Sequence, residues 1–539
     1  MVDITNAVQL PQADFDAVVV GAGFAGLYAV HKLRNEQGLR VLGYDSASDV
    51  GGTWFHNRYP GALSDTESFC YRYSFDKELL QEGSWTDRYL TQPEILSYLN
   101  MFADRYDLRR SYQFRKRMTD ARFDEGTGLW SVVTDDGRTV TAKYLVSALG
   151  VLSAVNKPSI PGENRFRGKI IHTADWPAEL DLANKRVGVV GTGSTGVQVI
   201  TALAPTVGHM TVFQRSPQYV VPIVNRPEPG AVIGEYIDDY DQIWAQIRQS
   251  AVAFGFEESV VSGESVSPEE RNRVFERAWQ RGGGFRFMFE TFSDVAISQE
   301  TNEAAAAFIR MKIAEVVQDP ETRRKLTPTD LYAKRPLCAT DYYAVYNRDN
   351  VALVDVKANP IVEFTEEGIL LGNGDLHELD VMIMATGFDA VDGNYTKLKI
   401  TGREGVMMSE KWRDGPLGYL GMMESGFPNL FMVVGPNGPF TNIPPTIETQ
   451  ADWISDLIAH MEASGVKSAE PRQDAEDVWV ETCRAIAGMT LFAKTDSWIF
   501  GANIPGKKVG VYFYMGGLGN YRAEIGKVKD GGYQTLMLS

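Results

Sequence analysis

Apolar runs of four or five residues bounded by glycine recur along the chain and alternate with segments of helical spacing. Val18, Val19 and Val20 form one continuous run. A glycine turn follows, and then Leu27, Val30 and Leu33 at helical intervals. A second run, Arg40 to Tyr44, ends at Asp45. A strand buried on both faces reads as an unbroken apolar run, whereas a packed helix shows a 3.6-residue period. The order predicts β-α-β. The same order returns at Arg186 to Val190, a second glycine turn and "VQVITALA", with the next strand in "HMTVFQRSPQY". Between the two units a strand-rich stretch, Gln113 to Val151, ends in "YLVSALG". Further strands read at "NVALVDV" and "LDVMIMATGFDAV", and the "ALG" and "ATG" ends at 148–150 and 385–387 echo each other.

This pattern predicts an α/β protein with two Rossmann-like dinucleotide-binding domains. Residues 1–151 and 388–539 are assigned to the first domain, 152–226 and 331–387 to the second. A charged segment of helical spacing, 227–330, is read as an insert.

The turns carry the chemistry. Gly21, Gly23 and Gly26, with Phe24 among them, follow the first strand. Glycines there permit a tight turn, close approach to a pyrophosphate and helix–strand packing, and the helix N-terminus favours negative charge. Asp45 stands where a ribose hydroxyl would donate. The second turn holds Gly191, Thr192, Gly193, Ser194, Thr195 and Gly196. No acid ends its following strand. Gln214, Arg215 and Ser216 stand there instead, and a guanidinium beside a hydroxyl suits a 2′-phosphate, so NADPH is expected at this turn.

Composition narrows the partners. The 539 residues are 44% hydrophobic and 23% charged, with a net charge of −17. Nucleic acid needs a basic footprint, and anionic membranes need the same, so both are excluded as expected partners. No apolar window reaches membrane-spanning length, and the leading residues lack a basic head and cleavage site. Cys70, Cys338 and Cys483 are isolated and odd in number, which fits a reducing cytoplasm and excludes a dithiol redox centre. Six scattered histidines give no metal set.

Five further segments stand out. "GGTWFHNRYPGALSDTESFCYRYSF" (51–75) is an irregular loop rich in Trp54, Tyr59, Tyr71 and Tyr73, suited to a flat ligand of mixed polarity. Asp65 in it reads either as a helix or turn cap or as a functional acid. "DLYAKRPLC" holds Lys334 and Arg335 in an apolar frame, which points to partial burial and a nearby anion. The aromatic stretches 282–292 and 435–445 read either as core or as an apolar substrate pocket. "FRGKIIHTADWP" (166–177) matches none of these chemistries.

That segment, Phe166-x-Gly168-x-x-x-His172-x-x-x-Trp176-Pro177, resembles the fingerprint of the type I Baeyer–Villiger monooxygenases. "NRYPGALSD" and "ATGFD" are similar to the same family, over essentially the whole chain, with the cyclohexanone-type members nearest. The resemblance implies a two-dinucleotide-binding flavoprotein with FAD at the first turn. NADPH reduces the flavin, O2 forms a C4a-peroxyflavin, and one oxygen enters next to a ketone carbonyl to give a lactone or ester. It implies Arg335 as the catalytic cation and Asp65 as the acid that positions it. A fixed cation in a dry site suits an anionic nucleophile and adduct. It further implies FAD contacts at Asp45, Thr53, Trp54, Asp65, Tyr71 and Met118. Lys334, Arg215 and Ser216 would clamp the 2′-phosphate, and Trp498 would close on the nicotinamide nucleotide. Phe440, Thr441, Ile443 and Phe513 would line the ketone pocket. The fingerprint residues Phe166, Gly168, His172 and Trp176 are expected on the link between the two domains, as a hinge element or, through His172, as a general base. A ketone and O2 are the expected partners, with no oligomer required. The remaining alternative is a flavin N- or S-oxygenase.

Overall fold

The computed structural model describes residues 12–82, 87–225 and 239–539. The leading segment and the start of the expected insert, 227–238, lie outside the described residues. Two sheets organise the rest. In the first, Phe15–Val20 lies between Thr139–Ser147 and Val41–Asp45, parallel to both. Tyr112–Phe114 extends one side, while antiparallel Leu129–Thr134 and Met118–Asp124 extend the other. Two late strands complete it: Lys399–Thr401 on Met118–Asp124, and Leu430–Met432 on Thr139–Ser147. The second sheet is wholly parallel, in the order Val351–Asp355, His209–Gln214, Arg186–Val190, Val381–Met384, Lys169–His172. Helix Phe24–Val30 follows the first central strand and Ser194–Leu203 the second.

The "ALG" and "ATG" echo has a packing cause. Ala148 N–H donates to Val20 O at 2.8 Å, and Ala385 N–H donates to Val190 O at 2.9 Å. Each alanine carbonyl then stands where a Cβ on the first turn glycine would be, 2.3 Å away at Gly21 and 2.4 Å at Gly191. Both glycines have positive φ, 113° and 105°. Two like-built halves thus close the same turn against the same neighbour.

The connections between the halves run side by side. Val155 bridges Phe388 in antiparallel fashion, Asp389 N–H donates to Ala154 O, and Val391 N–H to Val151 O. Packing also crosses the boundaries read from sequence. Within the expected insert, Tyr240, Trp244 and Ile247 of helix Tyr240–Gln249 join the core of the first sheet. Phe275, Phe287, Phe292 and Phe308 join that of the second. The C-terminal residues Phe492, Ile499, Phe500 and Phe513 also pack in the second core. A surface helix needs one apolar face covered, and here sequence-distant elements cover it. No helix of the described residues is long and apolar enough to cross a membrane.

Candidate active site

A cavity of about 1730 Å³ runs between the two sheets and receives both glycine turns. The turns open into it by construction. Helices Phe24–Val30 and Ser194–Leu203 begin at Gly23 and Gly193, neither capped by a side chain. The first N–H groups of a helix lack intrahelical partners, so these ends present donors and a partial positive charge. Gly26 and Gly196 serve packing instead. A Cβ there would lie 1.7 Å from Gly21 O and 2.2 Å from Gly191 O, and neither residue reaches the cavity wall. Gly193 has nothing within 4 Å of a Cβ. That open ground above a helix N-terminus fits a pyrophosphate.

The ends of the following strands differ as their residues require. Asp45 accepts from Ala22 N–H at 2.6 Å and from Ala47 N–H at 2.7 Å, which fixes its carboxylate beside the first turn. Arg215 and Ser216 line the other end of the cavity, where Thr192 Oγ1 donates to Ser216 O at 3.1 Å. Thr53, Trp54, Tyr71 and Met118 line the first half, and Trp54 Nε1 donates to Tyr71 Oη at 3.2 Å. Burial pushes the Tyr71 and Tyr59 phenols up to about 12, so both stay neutral hydrogen-bonding groups.

Between the turns stands an ion pair. Arg335 Nη2 is 2.7 Å from Asp65 Oδ2, with side chains 24% and 16% exposed. The Arg335 guanidinium also lies 5.5 Å from the centroid of the Phe285 ring. Arg335 leads into strand Leu337–Ala339, which pairs with Val220–Pro222, so a strand aims it at the loop carrying Asp65. Asp65 is not a cap: the short turn after it, Ser68–Cys70, takes Glu67 at that position. Lys334 lines the same cavity, with Nζ 2.5 Å from Asp330 Oδ2.

Aromatic rings from four distant segments form an apolar wall beside this pair. Phe254 stacks on Phe285 with centroids 4.0 Å apart, Phe440 lies 6.5 Å from Phe285, and Phe513 lies 5.3 Å from Phe440. Trp498 meets Phe513 edge-on. Thr441 and Ile443 complete the expected set on the wall. The phenylalanines of 282–292 divide: Phe285 faces the cavity, whereas Phe287 and Phe292 are core.

The fingerprint segment is no bare link. Lys169–His172 is the edge strand of the second sheet, paired with Val381–Met384. Phe166 is buried against Phe364, and a Cβ on Gly168 would meet Asp380 O and the Phe166 ring, both at 2.4 Å. His172 Nδ1 accepts from Ala174 N–H at 3.1 Å, and its ring lies edge-on to Phe388. Burial lowers the basicity of His172. Phe166, Gly168, His172 and Trp176 are not on the cavity wall, but Ala174 and Asp175 are. The spacing therefore encodes a strand that docks, turns, and delivers two residues to the cavity beside the crossing at 387–388.

A family model described as pyridine nucleotide-disulphide oxidoreductase matches residues 15–237. The three cysteines are free, buried and remote from one another in sequence, so no dithiol accompanies that match. A Baeyer–Villiger monooxygenase of Pseudooceanicola batsensis is 66% identical, covering 97% of this chain and 96% of its own. The chain belongs to the Baeyer–Villiger monooxygenase family. Cyclohexanone 1,2-monooxygenase of an Acinetobacter species is 54% identical over the same shares. The solved cyclohexanone monooxygenase of Rhodococcus sp. Phi1, bound to NADP+, superposes with a TM-score of 0.96 at 58% identity, covering 97% of this chain and 99% of its own. A solved OTEMO complex with FAD and NADP superposes at 0.94 with 37% identity, covering 98% of this chain and 100% of its own. Phenazine N-monooxygenase PhzNO1 of Lysobacter antibioticus is 52% identical, with 97% of each chain covered, so overall identity does not by itself separate ketone from nitrogen oxidation.

For a member of this family, several wall residues escape a reading of motifs. Gln198, on the helix after the second turn, accepts from Tyr59 Oη at 2.8 Å and donates to Leu63 O at 3.1 Å. It ties the loop of one half to the helix of the other. A small residue is required opposite it, since a Cβ on Gly61 would come within 2.8 Å of Gln198 O. Asn442 donates to Cys70 O and Ala253 O, both at 3.0 Å, joining the loops before Tyr71 and Phe254. Polar residues at helical or loop positions look like surface until the partner segment is known. A glutamine inside "TGVQVITAL" gave no other signal.

Proposed function

We propose that this chain holds FAD at the first turn and NADPH at the second, and inserts one oxygen atom of O2 next to the carbonyl of a cyclic ketone to give a lactone. The family and its relatives' activities support the reaction. The two glycine turns on the cavity wall, Asp45 at one strand end and Arg215 with Ser216 at the other support the two nucleotides. The single observation that carries the chemistry is the Arg335–Asp65 pair facing an aromatic wall.

When bound, the flavin supplies activated oxygen and the nicotinamide supplies electrons. The protein's residues do the rest. Arg335 stays charged throughout, so it can hold the negative oxygen that develops as the ketone carbonyl is attacked, without releasing a proton. Asp65 fixes the direction of that charge through a charge-assisted hydrogen bond. Phe254, Phe285, Phe440 and Phe513 keep water away, which strengthens the cation's field at the reacting atoms. Arg215, Ser216 and Lys334 hold the 2′-phosphate, and Trp498 closes over the nucleotide. The edge strand 169–172, seated against the crossing at 387–388, serves as the hinge element. Three buried free thiols, with Cys338 pushed up to about 12 by burial, suit a reducing cytoplasm.

Cyclohexanone, NADPH and 18O2 supplied to the FAD-loaded protein should yield caprolactone carrying one 18O atom by mass spectrometry. A second reading, oxidation of nitrogen or sulfur, draws on the 52% identity to PhzNO1. Amine or sulfide oxides formed without any lactone would establish it and end the first.

A further inference from the structure

Below the cavity wall lies a cluster of charges that the reaction does not use. Glu67 Oε1 takes Arg88 Nη2 at 2.6 Å and Arg286 Nη2 at 2.5 Å. The side chains of both arginines are 8% exposed and that of Glu67 is 13% exposed. Arg88 Nη1 donates to Arg281 O at 2.8 Å, covering the last turn of helix Pro268–Arg281. Arg286 Nη1 donates to Glu290 at 2.9 Å, and its guanidinium lies 5.0 Å from the centroid of Phe256. Glu67, Arg88 and Arg286 do not line the cavity.

The connectivity is what matters. The Arg335 guanidinium meets the Asp65 carboxylate and the face of Phe285, besides a 3.4 Å hydrogen bond to the O of its neighbour Pro336. Asp65 stands two residues before Glu67, and Phe285 stands directly before Arg286. The Glu67–Arg286 contact therefore closes a circuit: Arg335 to Asp65, along the loop to Glu67, across to Arg286, back to Phe285 and Arg335. Burying three charges gives little net stability, because desolvation offsets their attraction. Apolar side chains of similar volume would pack there at no lower stability. What an ion cluster adds is a fixed geometry, since each fork must meet its carboxylate in one orientation.

Resting on the function proposed above, we propose that Glu67 is a positioning residue: by gripping Arg88 and Arg286 it fixes the Asp65 loop against helix Gly284–Phe289, which carries Phe285, and so sets where the Arg335 charge stands. Burial acts to raise the Glu67 carboxyl, but the Arg286 and Arg88 guanidinium groups together outweigh it and hold the carboxyl below its ordinary value.

The test compares Glu67→Gln and Arg286→Lys with Arg403→Gln, which breaks a 2.6 Å pair to Glu470 at the outer edge of the first sheet. Glu67→Gln should lower the lactone-forming kcat about tenfold or more, since a displaced catalytic group loses rate steeply. NADPH consumed per lactone should rise at least about twofold, the excess appearing as hydrogen peroxide, while flavin reduction by NADPH stays within about twofold of wild type. Arg286→Lys, which keeps the charge and loses the fork, should fall between. Arg403→Gln should cost melting temperature without loss of coupling. A crystal structure of Glu67→Gln should show Arg335 displaced from Asp65 or from Phe285. Folded Glu67→Gln with wild-type kcat and coupling, or losses that merely track melting temperature as in Arg403→Gln, would overturn the proposal. If Glu67→Gln does not fold, Arg286→Lys carries the same criteria. Wild-type protein that makes no lactone would sink the proposed function instead, and the variant's crystal structure would still decide the positioning.

Discussion

Gly191 and Gly193 sit two residues apart in one turn, yet their surroundings are opposite. At Gly191 the backbone has φ of 105°, and an added Cβ would stand 2.4 Å from Ala385 O. Side-chain-bearing residues rarely adopt that conformation, at a cost of about 1–3 kcal/mol. The contact is also about 1 Å too short for carbon and oxygen, and relieving it moves the closing strand, a further ~1–3 kcal/mol. Gly191→Ala should therefore lose about 2–6 kcal/mol of stability before any ligand is added. At Gly193 the backbone is extended, φ −74° and ψ −170°, and nothing lies within 4 Å of a Cβ. Gly193→Ala should change apoprotein stability by no more than about 1 kcal/mol, the scale of an N-cap exchange. Its methyl group would nevertheless fill the ground a pyrophosphate must approach, and NADPH should bind at least about tenfold more weakly, ~1.4 kcal/mol. Urea unfolding of the apoproteins reads the first effect, and NADPH titration by fluorescence reads the second. If Gly193→Ala binds NADPH as wild type does, the pyrophosphate does not lie against this turn. If Gly191→Ala is as stable as wild type, the close approach to Ala385 is not rigid.

Other expectations follow from single contacts. Arg335→Ala should cost about 10²–10³ in lactone-forming kcat, the scale of losing one group that holds an oxyanion, with flavin reduction by NADPH retained. Rapid-mixing absorbance and product analysis together check both halves, and unimpaired lactone formation would refute the assignment. Arg215→Ala should raise KM for NADPH about tenfold or more and leave NADH little affected, since only the former carries a 2′-phosphate. Steady-state kinetics with the two nucleotides decide it. Glu448 is buried where Ser74 N–H and Oγ each reach it at 2.6 Å, and burial pushes its carboxyl up to about 7. Its folded pKa exceeds its unfolded one, so the folded state binds more protons between the two values and stability falls as pH rises through that window. Glu448→Gln should remove this slope, about 3 kcal/mol between pH 4.5 and 7 for the wild type, as read from urea midpoints across that range.

Much of this protein was legible along the chain. The strand at Arg186–Val190 falls where its apolar run places it, because a strand covered on both faces must be apolar throughout. The places of both glycine turns, of Asp45, and of Arg215 with Ser216 follow from residues alone, since a strand–turn–helix unit is a local object built within thirty residues. Asp65 and Arg335 were visible only as candidates, a carboxylate in a loop and a cation in an apolar frame, separated by 270 residues of sequence. Their 2.7 Å contact depends on how the strand Leu337–Ala339 meets the 51–75 loop, which no local pattern encodes. The fingerprint shows the same limit from the other side. Phe166, Gly168 and His172 keep their spacing because a strand docks at the edge of a sheet, and the spacing cannot name the sheet. The aromatic wall is assembled from residues 254, 285, 440 and 513, and the Glu67 cluster from 67, 88 and 286. Sequence alone determined the periodic elements and the glycine turns, because backbone geometry and local sterics act over a few residues. Tertiary structure decided which distant charges and rings share one cavity, because burial and ion pairing act between whatever surfaces the chain brings together.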